Sequence, residues 1–249
     1  MSKTVIISGT SRGIGLEVAK EFIKYNYKVI GLDRSEPKGC IGSNFFFIKC
    51  DLYNFTKENE CELISLLEAK MEKLILINNA AYQYVDLFEK TSLDSWKKTF
   101  FVNLFAPVQI INCILPYLAK SNGSIVNISS IHAKLTKKGF SAYAASKSSI
   151  ETLTRSLALE FGQKGIRVNA ISPAAIETEM LLDGFQGDSN KLQELNSHHP
   201  VNFIGKCHYL SKLVFNLSTS DDLFWTGSII NYDGGISSAL SDPDNRFEV

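Results

Sequence analysis

A chain of 249 residues with 26 basic and 26 acidic side chains is compatible with one large α/β domain, and its even balance leaves no basic stripe for nucleic acid. Five cysteines, at positions 40, 50, 61, 113 and 207, include no C-x-x-C pair; they argue against a disulfide framework or structural zinc and fit a reducing cytoplasm. The opening apolar stretch at 5–7 is too short for a signal-peptide core, and no run approaches the roughly 18 apolar residues of a spanning helix, so a soluble protein with no membrane role is expected.

Short apolar runs alternate with longer segments of helical period. Strands are expected at 4–7, 28–32, 45–50, 74–77, 124–128, 167–171 and 228–231, with helices at 13–25, 56–71, 103–119, 142–161 and 207–217. Strands buried on both faces read as continuous apolar runs, as Val5-Ile6-Ile7 and Leu74-Ile75-Leu76-Ile77 do. The rhythm predicts a single α/β domain over 1–249: a doubly wound, Rossmann-like, seven-stranded parallel sheet with helices on both faces. Residues 178–205 break the rhythm and read as a mobile lid over the crevice at the strands' carboxyl ends.

The stretch Ser8-Gly9-Thr10-Ser11-Arg12-Gly13-Ile14-Gly15 follows the first strand and opens the first helix. There, free backbone N–H groups and the positive helix end suit a pyrophosphate. A bare glycine-rich loop is often a plain turn; its position between strand and helix gives it a nucleotide-binding meaning. Asp33 ends the second strand eighteen residues after Gly15, where a carboxylate accepts hydrogen bonds from ribose hydroxyls and repels a 2′-phosphate. Arg12 and Arg34 pull the other way, because guanidinium pairs well with phosphate. NAD is the expected cofactor, with NADP possible.

Tyr143 and Lys147 lie four residues apart in a predicted helix and share one face about a turn apart, thirteen residues and more beyond Ser130. A phenol has an ordinary pKa of about 10, and a neighbouring ammonium is expected to lower it, so that Tyr143 could exchange a proton with an alcohol. Taken singly, Tyr143 is a half-buried helix residue, Lys147 a solvated one, Ser130 a turn cap and Asn103 an N-cap.

Together these residues resemble the short-chain dehydrogenase/reductase family, over residues 4–235. Its T-G-x-x-x-G-x-G turn is matched by Ser8 to Gly15, its adenine-contacting aspartate by Asp51 followed by Leu52, and its N-N-A-G stretch by Asn78, Asn79, Ala80 and Ala81. Asn103, Ser130, Tyr143 and Lys147 fill the four catalytic positions. The P-G-x-x-x-T segment appears as Pro173, Ala174, Ala175, Ile176, Glu177 and Thr178, and the closing motifs as Thr226-Gly227 and Asp233-Gly234-Gly235. Ala81 and Ala174 stand where the family has glycine, and either would be strained if its position required a positive φ.

The resemblance implies that Tyr143 is the acid/base, Lys147 lowers its pKa and binds the nicotinamide ribose, Ser130 holds the substrate oxygen and Asn103 positions a water. It also implies a homotetramer or homodimer pairing through helices 103–119 and 142–161. Thr178 reads either as a contact to the carboxamide or as a lid-helix cap. Tyr82, Tyr84, His132, Phe140, Ala175, Met180 and Phe185 are substrate-facing candidates. Their uncharged, aromatic tone favours an alcohol or ketone on a ring or carbon chain, and His132 joins Ser130 and Tyr143 as the substrate set.

His198, His199 and His208 show no metal-ligand spacing, and no metal is expected. Lys134, Lys137 and Lys138 read first as a solvated face and second as a greeting for an acidic substrate. The expected activity is NAD-dependent interconversion of a secondary alcohol and its ketone. The alternatives are an NADP-dependent ketone or 3-oxoacyl-thioester reductase and, in another class, a non-catalytic dinucleotide-binding sensor or scaffold.

Overall fold

Seven strands form one parallel sheet in the order β3-β2-β1-β4-β5-β6-β9. They are β1 (Ser2–Ser8), β2 (Lys28–Asp33), β3 (Phe45–Lys49), β4 (Met71–Asn78), β5 (Ser124–Ile128), β6 (Arg167–Pro173) and β9 (Ile229–Tyr232). A separate short ladder joins β7 (Ile176–Glu177) to β8 (Gly205–Lys206). The structure, a computed structural model, describes residues 2–37, 39, 41–185 and 188–239. Of the positions named above, Cys40, the side chain of Met180 and the chain beyond residue 239 lie outside this description.

The helices are α1 (Gly13–Lys24), α2 (Lys57–Ser65), α3 (Leu93–Phe100), α4 (Ala106–Lys120), α5 (Ser141–Phe161), α6 (Glu179–Gly184), α7 (Ser189–Ser197) and α8 (Cys207–Thr219). Side chains of α2, α4 and α5 pack on one sheet face around Ile110, Ile114, Leu118 and Ile125, and those of α1 and α8 on the other around Val18, Phe22, Leu210 and Val214. Burial on both faces explains why strands such as Val5-Ile6-Ile7 are uniformly apolar. All seven expected sheet strands are present, and the strand order reverses direction between β1 and β4, which opens a crevice at their carboxyl ends.

Two helix bounds change. The helix expected at 56–71 stops at Ser65, because the chain turns through Leu66 and Leu67 and Met71 already pairs with Ser2 in the sheet. The helix expected from 103 begins ten residues earlier at Leu93, capped by the Ser92 hydroxyl, which accepts from Ser95 N–H. It runs through a π turn at Phe101–Phe105 into α4. The whole stretch Leu93–Lys120 is long and apolar enough in length and composition to cross a membrane, yet Ile110, Ile111, Ile114 and Leu118 on its inner side are buried against the sheet. Residues 178–205, read as a lid, hold two short helices, α6 and α7.

The turn between β1 and α1 is sterically closed. A Cβ on Gly15 would stand 1.9 Å from the Gly9 carbonyl oxygen and 2.5 Å from Asn79 Nδ2. Gly15→Ala is therefore expected to cost about 2–3 kcal/mol in urea unfolding. Gly162→Ala, whose Cβ meets nothing within 4 Å, should leave the midpoint unchanged or slightly raised.

Candidate active site

The carboxyl ends of β1 and β4 are cross-tied by short polar contacts. Ser8 Oγ accepts from the N–H groups of Asn79 and Ala80 at 3.0 and 3.1 Å, and Asn79 Nδ2 donates to the carbonyls of Ser8 and Gly9, both at 3.0 Å. Asn79 and Ala80 thus hold the turn in shape. Gly9 sits at φ +77°, the left-handed region, where any side chain would also strike Asn79 and Ala80. Helix α1 starts at Gly13 with no side-chain cap at Arg12 and no acidic residue in its first turn. Its first N–H groups are free for an anion, and Ser11, Gly13, Ile14 and Gly15 surround them.

Asp33 faces the same turn. Its Oδ2 accepts from Ser11 N–H at 2.8 Å and its Oδ1 from Arg34 N–H at 2.7 Å, which fixes a carboxylate beside the glycine-rich loop. The side chains of Arg12 and Arg34 are exposed. Asp51 follows β3 by two residues and accepts from Tyr53 N–H at 3.0 Å, with Leu52 buried beside it. Pro173 closes β6, Ile176 is buried in β7, and the Thr178 hydroxyl accepts from Leu181 N–H at 3.2 Å, capping α6. The methyl of Thr178 is 3.3 Å from where a Gly13 Cβ would be, so the start of the lid lies against the turn. An uncapped helix start, a close glycine backbone and a fixed carboxylate fit a dinucleotide.

Across the crevice, β5 delivers Ser130 and α5 delivers Tyr143 and Lys147. Lys147 is 3% exposed, and its Nζ donates to the Ile128 carbonyl at 2.7 Å. That one acceptor leaves two ammonium N–H groups for other partners. Burial pushes Lys147 down to about 8. The Ser130 hydroxyl accepts from His132 N–H at 3.2 Å and stands near enough to the Tyr143 phenol to favour its ionised form.

The expected lowering of Tyr143 by Lys147 is not found in the ligand-free protein. Burial pushes the phenol up to about 12, and only the Ser130 hydroxyl works against it. The ammonium lies 5.7 Å from the ring centroid, so helical spacing brings the two groups together without making the charge dominant.

Asn103 corrects another expectation: it is no N-cap but lies inside the π turn, 3% exposed. Its Oδ1 accepts from Tyr82 N–H at 2.7 Å, and its Nδ2 donates to Tyr82 O at 3.0 Å and Ser146 Oγ at 2.9 Å. Ser146 in turn donates to the Tyr143 carbonyl at 2.7 Å. Both amide N–H groups and one acceptor site of Oδ1 are engaged in joining three segments, which leaves the side chain little capacity to hold a water. A π turn breaks the regular ladder of main-chain carbonyls and suits that task better.

His132 stacks on Phe140 with centroids 4.4 Å apart and meets the Tyr143 ring edge-on at 5.8 Å. Burial, then the nearby Lys137, holds its imidazole below the ordinary histidine range. The ring of Tyr82 lies under Lys98 at 4.7 Å, away from this cluster. Tyr84, Ala175 and Phe185 are partly exposed. Ala81 and Ala174 both have negative φ, so neither alanine is strained. Among the described residues no cluster of His, Cys, Asp and Glu could hold a metal. Sequence reasoning missed Ser146 and the Ile128 carbonyl; Ser146 stood visibly between Tyr143 and Lys147, but a main-chain acceptor leaves no residue-type signal.

Residues 3–187 match the sequence profile of the short chain dehydrogenase family. The chain is 28% identical to glucose 1-dehydrogenase 2 of Bacillus subtilis (strain 168), over 94% of this chain and 95% of that protein. Two solved structures superpose closely: ElxO with NADP bound, at TM-score 0.86 and 30% identity over 96% of this chain and 100% of the other, and 4-hydroxyisoleucine dehydrogenase complexed with NADH, at TM-score 0.84 and 30% identity over the same shares.

The depressed Lys147 has a thermodynamic consequence. Between its folded value of about 8 and the ordinary 10.5, the unfolded chain holds a proton that the folded chain has released, so this group makes stability rise with pH in that window. Below about pH 8 the penalty is complete, about 3 kcal/mol. Urea unfolding of ligand-free Lys147→Met at pH 7 and 9.5 should show an equal or higher midpoint than the parent at pH 7. The parent's gain at the higher pH should be absent from the variant.

Proposed function

The chain belongs to the short chain dehydrogenase family, an NAD(P)-dependent family acting on CH–OH groups and their ketones, and on that premise we propose that it interconverts a secondary alcohol and its ketone with NAD as its preferred cofactor. The observation that carries the chemistry is the convergence of the Ser130 hydroxyl on the Tyr143 phenol, with the buried Lys147 ammonium one helical turn away. A nicotinamide cofactor, when bound, would supply or accept the hydride.

Ser130 orients the substrate oxygen, and Tyr143 passes a proton to or from it. Two N–H groups of Lys147 are left to hold ribose hydroxyls and carry charge close to Tyr143. Asn103 keeps α5 in place through Ser146 and positions a water through its main chain. Residues Gly9, Ser11, Arg12, Gly13, Ile14 and Gly15 would hold the pyrophosphate. Asp33 and Arg34 would flank the adenosine ribose, Asp51 and Leu52 the adenine, and Asn79 and Ala80 back the turn. Pro173, Ile176 and Thr178 would border the nicotinamide, Thr178 through its main chain or methyl since its hydroxyl caps α6.

The fixed carboxylate of Asp33 favours NAD, because a 2′-phosphate would stand against a charge already held by two backbone N–H groups. An NADP-dependent reductase of ketones or 3-oxoacyl thioesters is the second reading, favoured by the exposed guanidinium groups of Arg12 and Arg34 beside that site. Residues 178–205 act as the lid. The protein works in the cytoplasm as a homotetramer or homodimer paired through the outer faces of α4 and α5, where Phe105 at the start of α4 and Leu159 are 49% and 85% exposed.

Tyr143→Phe should lower kcat about a hundred- to ten-thousand-fold in steady-state assays, with the fold retained by circular dichroism. Fluorescence titration should show NADH bound at least ten times more tightly than NADPH, and Asp33→Ala should narrow that ratio. NADPH preference in the parent would overturn the Asp33 argument.

A further inference from the structure

We infer that the substrate carries an anionic group, carboxylate or phosphate, at the end remote from the reacting carbon, and that Lys137 with its neighbours Lys134 and Lys138 recognises it. This inference rests on the oxidoreductase reading and deepens it by naming a substrate class.

Three lysines fall within five residues on the loop that leaves Ser130 and returns at Tyr143. All three are exposed, and none joins an ion pair among the described residues, although seven other lysines do. Asp86, whose segment is tied to this loop, is turned to its own main chain: its Oδ1 accepts from Leu87 N–H at 2.8 Å, while its N–H donates to Gly139 O at 3.1 Å and fastens the loop. Asp233 is engaged by the Ser237 hydroxyl and the Gly235 N–H. Among the described residues the three ammonium groups therefore have no carboxylate in direct contact.

The geometry connects that charge to the chemistry. The rings of Tyr143, His132 and Phe140 form one compact cluster, with centroids 5.8 Å apart for Tyr143 and His132, 4.4 Å for His132 and Phe140 and 6.4 Å for Phe140 and Tyr143, and Lys137 Nζ lies 4.9 Å over the Phe140 ring. Lys134 Nζ reaches the Asn231 Oδ1 of β9 at 3.2 Å, which keeps a second ammonium at the same rim. Lys137 is thus one ring removed from Tyr143, so a short carbon skeleton passing this cluster would place its reacting oxygen at Ser130 and Tyr143 and its far end near Lys137.

The cofactor's own phosphates do not account for the cluster. Their cradle is the start of α1, beyond β1, whereas the lysine loop follows β5. Two strand spacings, roughly 10 Å, separate β1 from β5. Lysine suits a distal anion here because a mobile point charge accepts either a carboxylate or a phosphate without fixed geometry.

The test uses the full-length protein with NAD(H) and a chain-length series of secondary alcohols and ketones ending in a carboxylate, a phosphate monoester or the neutral methyl ester. Turnover and ternary binding to the NADH complex are both measured. At the best chain length, an anionic form should exceed the ester in kcat/KM by about ten-fold or more. That ratio should shrink with added salt, collapse in Lys137→Gln and return in Lys137→Arg.

Carboxylate against phosphate preference identifies the anion. Esters that match the anions at every length overturn the inference while leaving the oxidoreductase reading intact, and so does a ratio that Lys137→Gln does not alter. Failure of every probe to bind or react overturns it too. Failure to bind NADH or NADPH would remove the parent reading as well.

Discussion

A buried ammonium constrains everything around it. Lys147 lies between α5 and β5 at 3% exposure with one main-chain acceptor, the Ile128 carbonyl. Removing such a charge from water is costly, and a single hydrogen bond does not offset the cost. The site is therefore preorganised at the expense of folding stability, with two N–H groups held ready for a ligand. Tyr143, one turn earlier on the same helix face, inherits its placement from that contact.

The helix that carries both groups is held by polar links to neighbouring strands and loops. Asn78 Nδ2 donates to Asn127 Oδ1 at 2.8 Å, and Asn127 Nδ2 donates to Thr154 Oγ1 at 2.9 Å, joining β4, β5 and α5 beneath the site. Ser129 Oγ donates to the buried Glu151 carboxylate at 3.0 Å, one turn beyond Lys147. Asn103 links Tyr82 to Ser146 from the other side. Apolar packing alone would tolerate small slides of α5 along the sheet; directional hydrogen bonds in a low-dielectric interior do not. They hold the phenol and the Ser130 hydroxyl within reach of each other.

The two alanines at glycine positions show how a motif departure can be benign. A glycine is required where φ is positive or a Cβ would collide, and neither applies through backbone conformation at Ala81 or Ala174. Ala174 instead donates its N–H to the Tyr232 carbonyl at 3.0 Å, prolonging the β6–β9 pairing past Pro173. Gly9 and Gly15 are the places where the turn admits no side chain, and those two are glycine.

The sequence by itself determined the sheet and its parallel sense, because strands buried on both faces must be apolar throughout, as at 5–7 and 74–77. It also determined that Tyr143 and Lys147 share one helix turn and that a glycine-rich turn opens α1, since both are local patterns. Only the tertiary structure decided how those groups are tuned. Whether burial or a neighbouring charge governs Tyr143 depends on the atoms packed around it, and burial prevails here. The Asn103 amide, placed in a π turn rather than at a helix start, is spent on Tyr82 and Ser146; the Thr178 hydroxyl is spent on α6; and Lys137, which read as part of a solvated face, stands over the Phe140 ring that packs with His132 and Tyr143. Each of these rests on contacts between segments distant in the chain, which residue type and spacing do not encode.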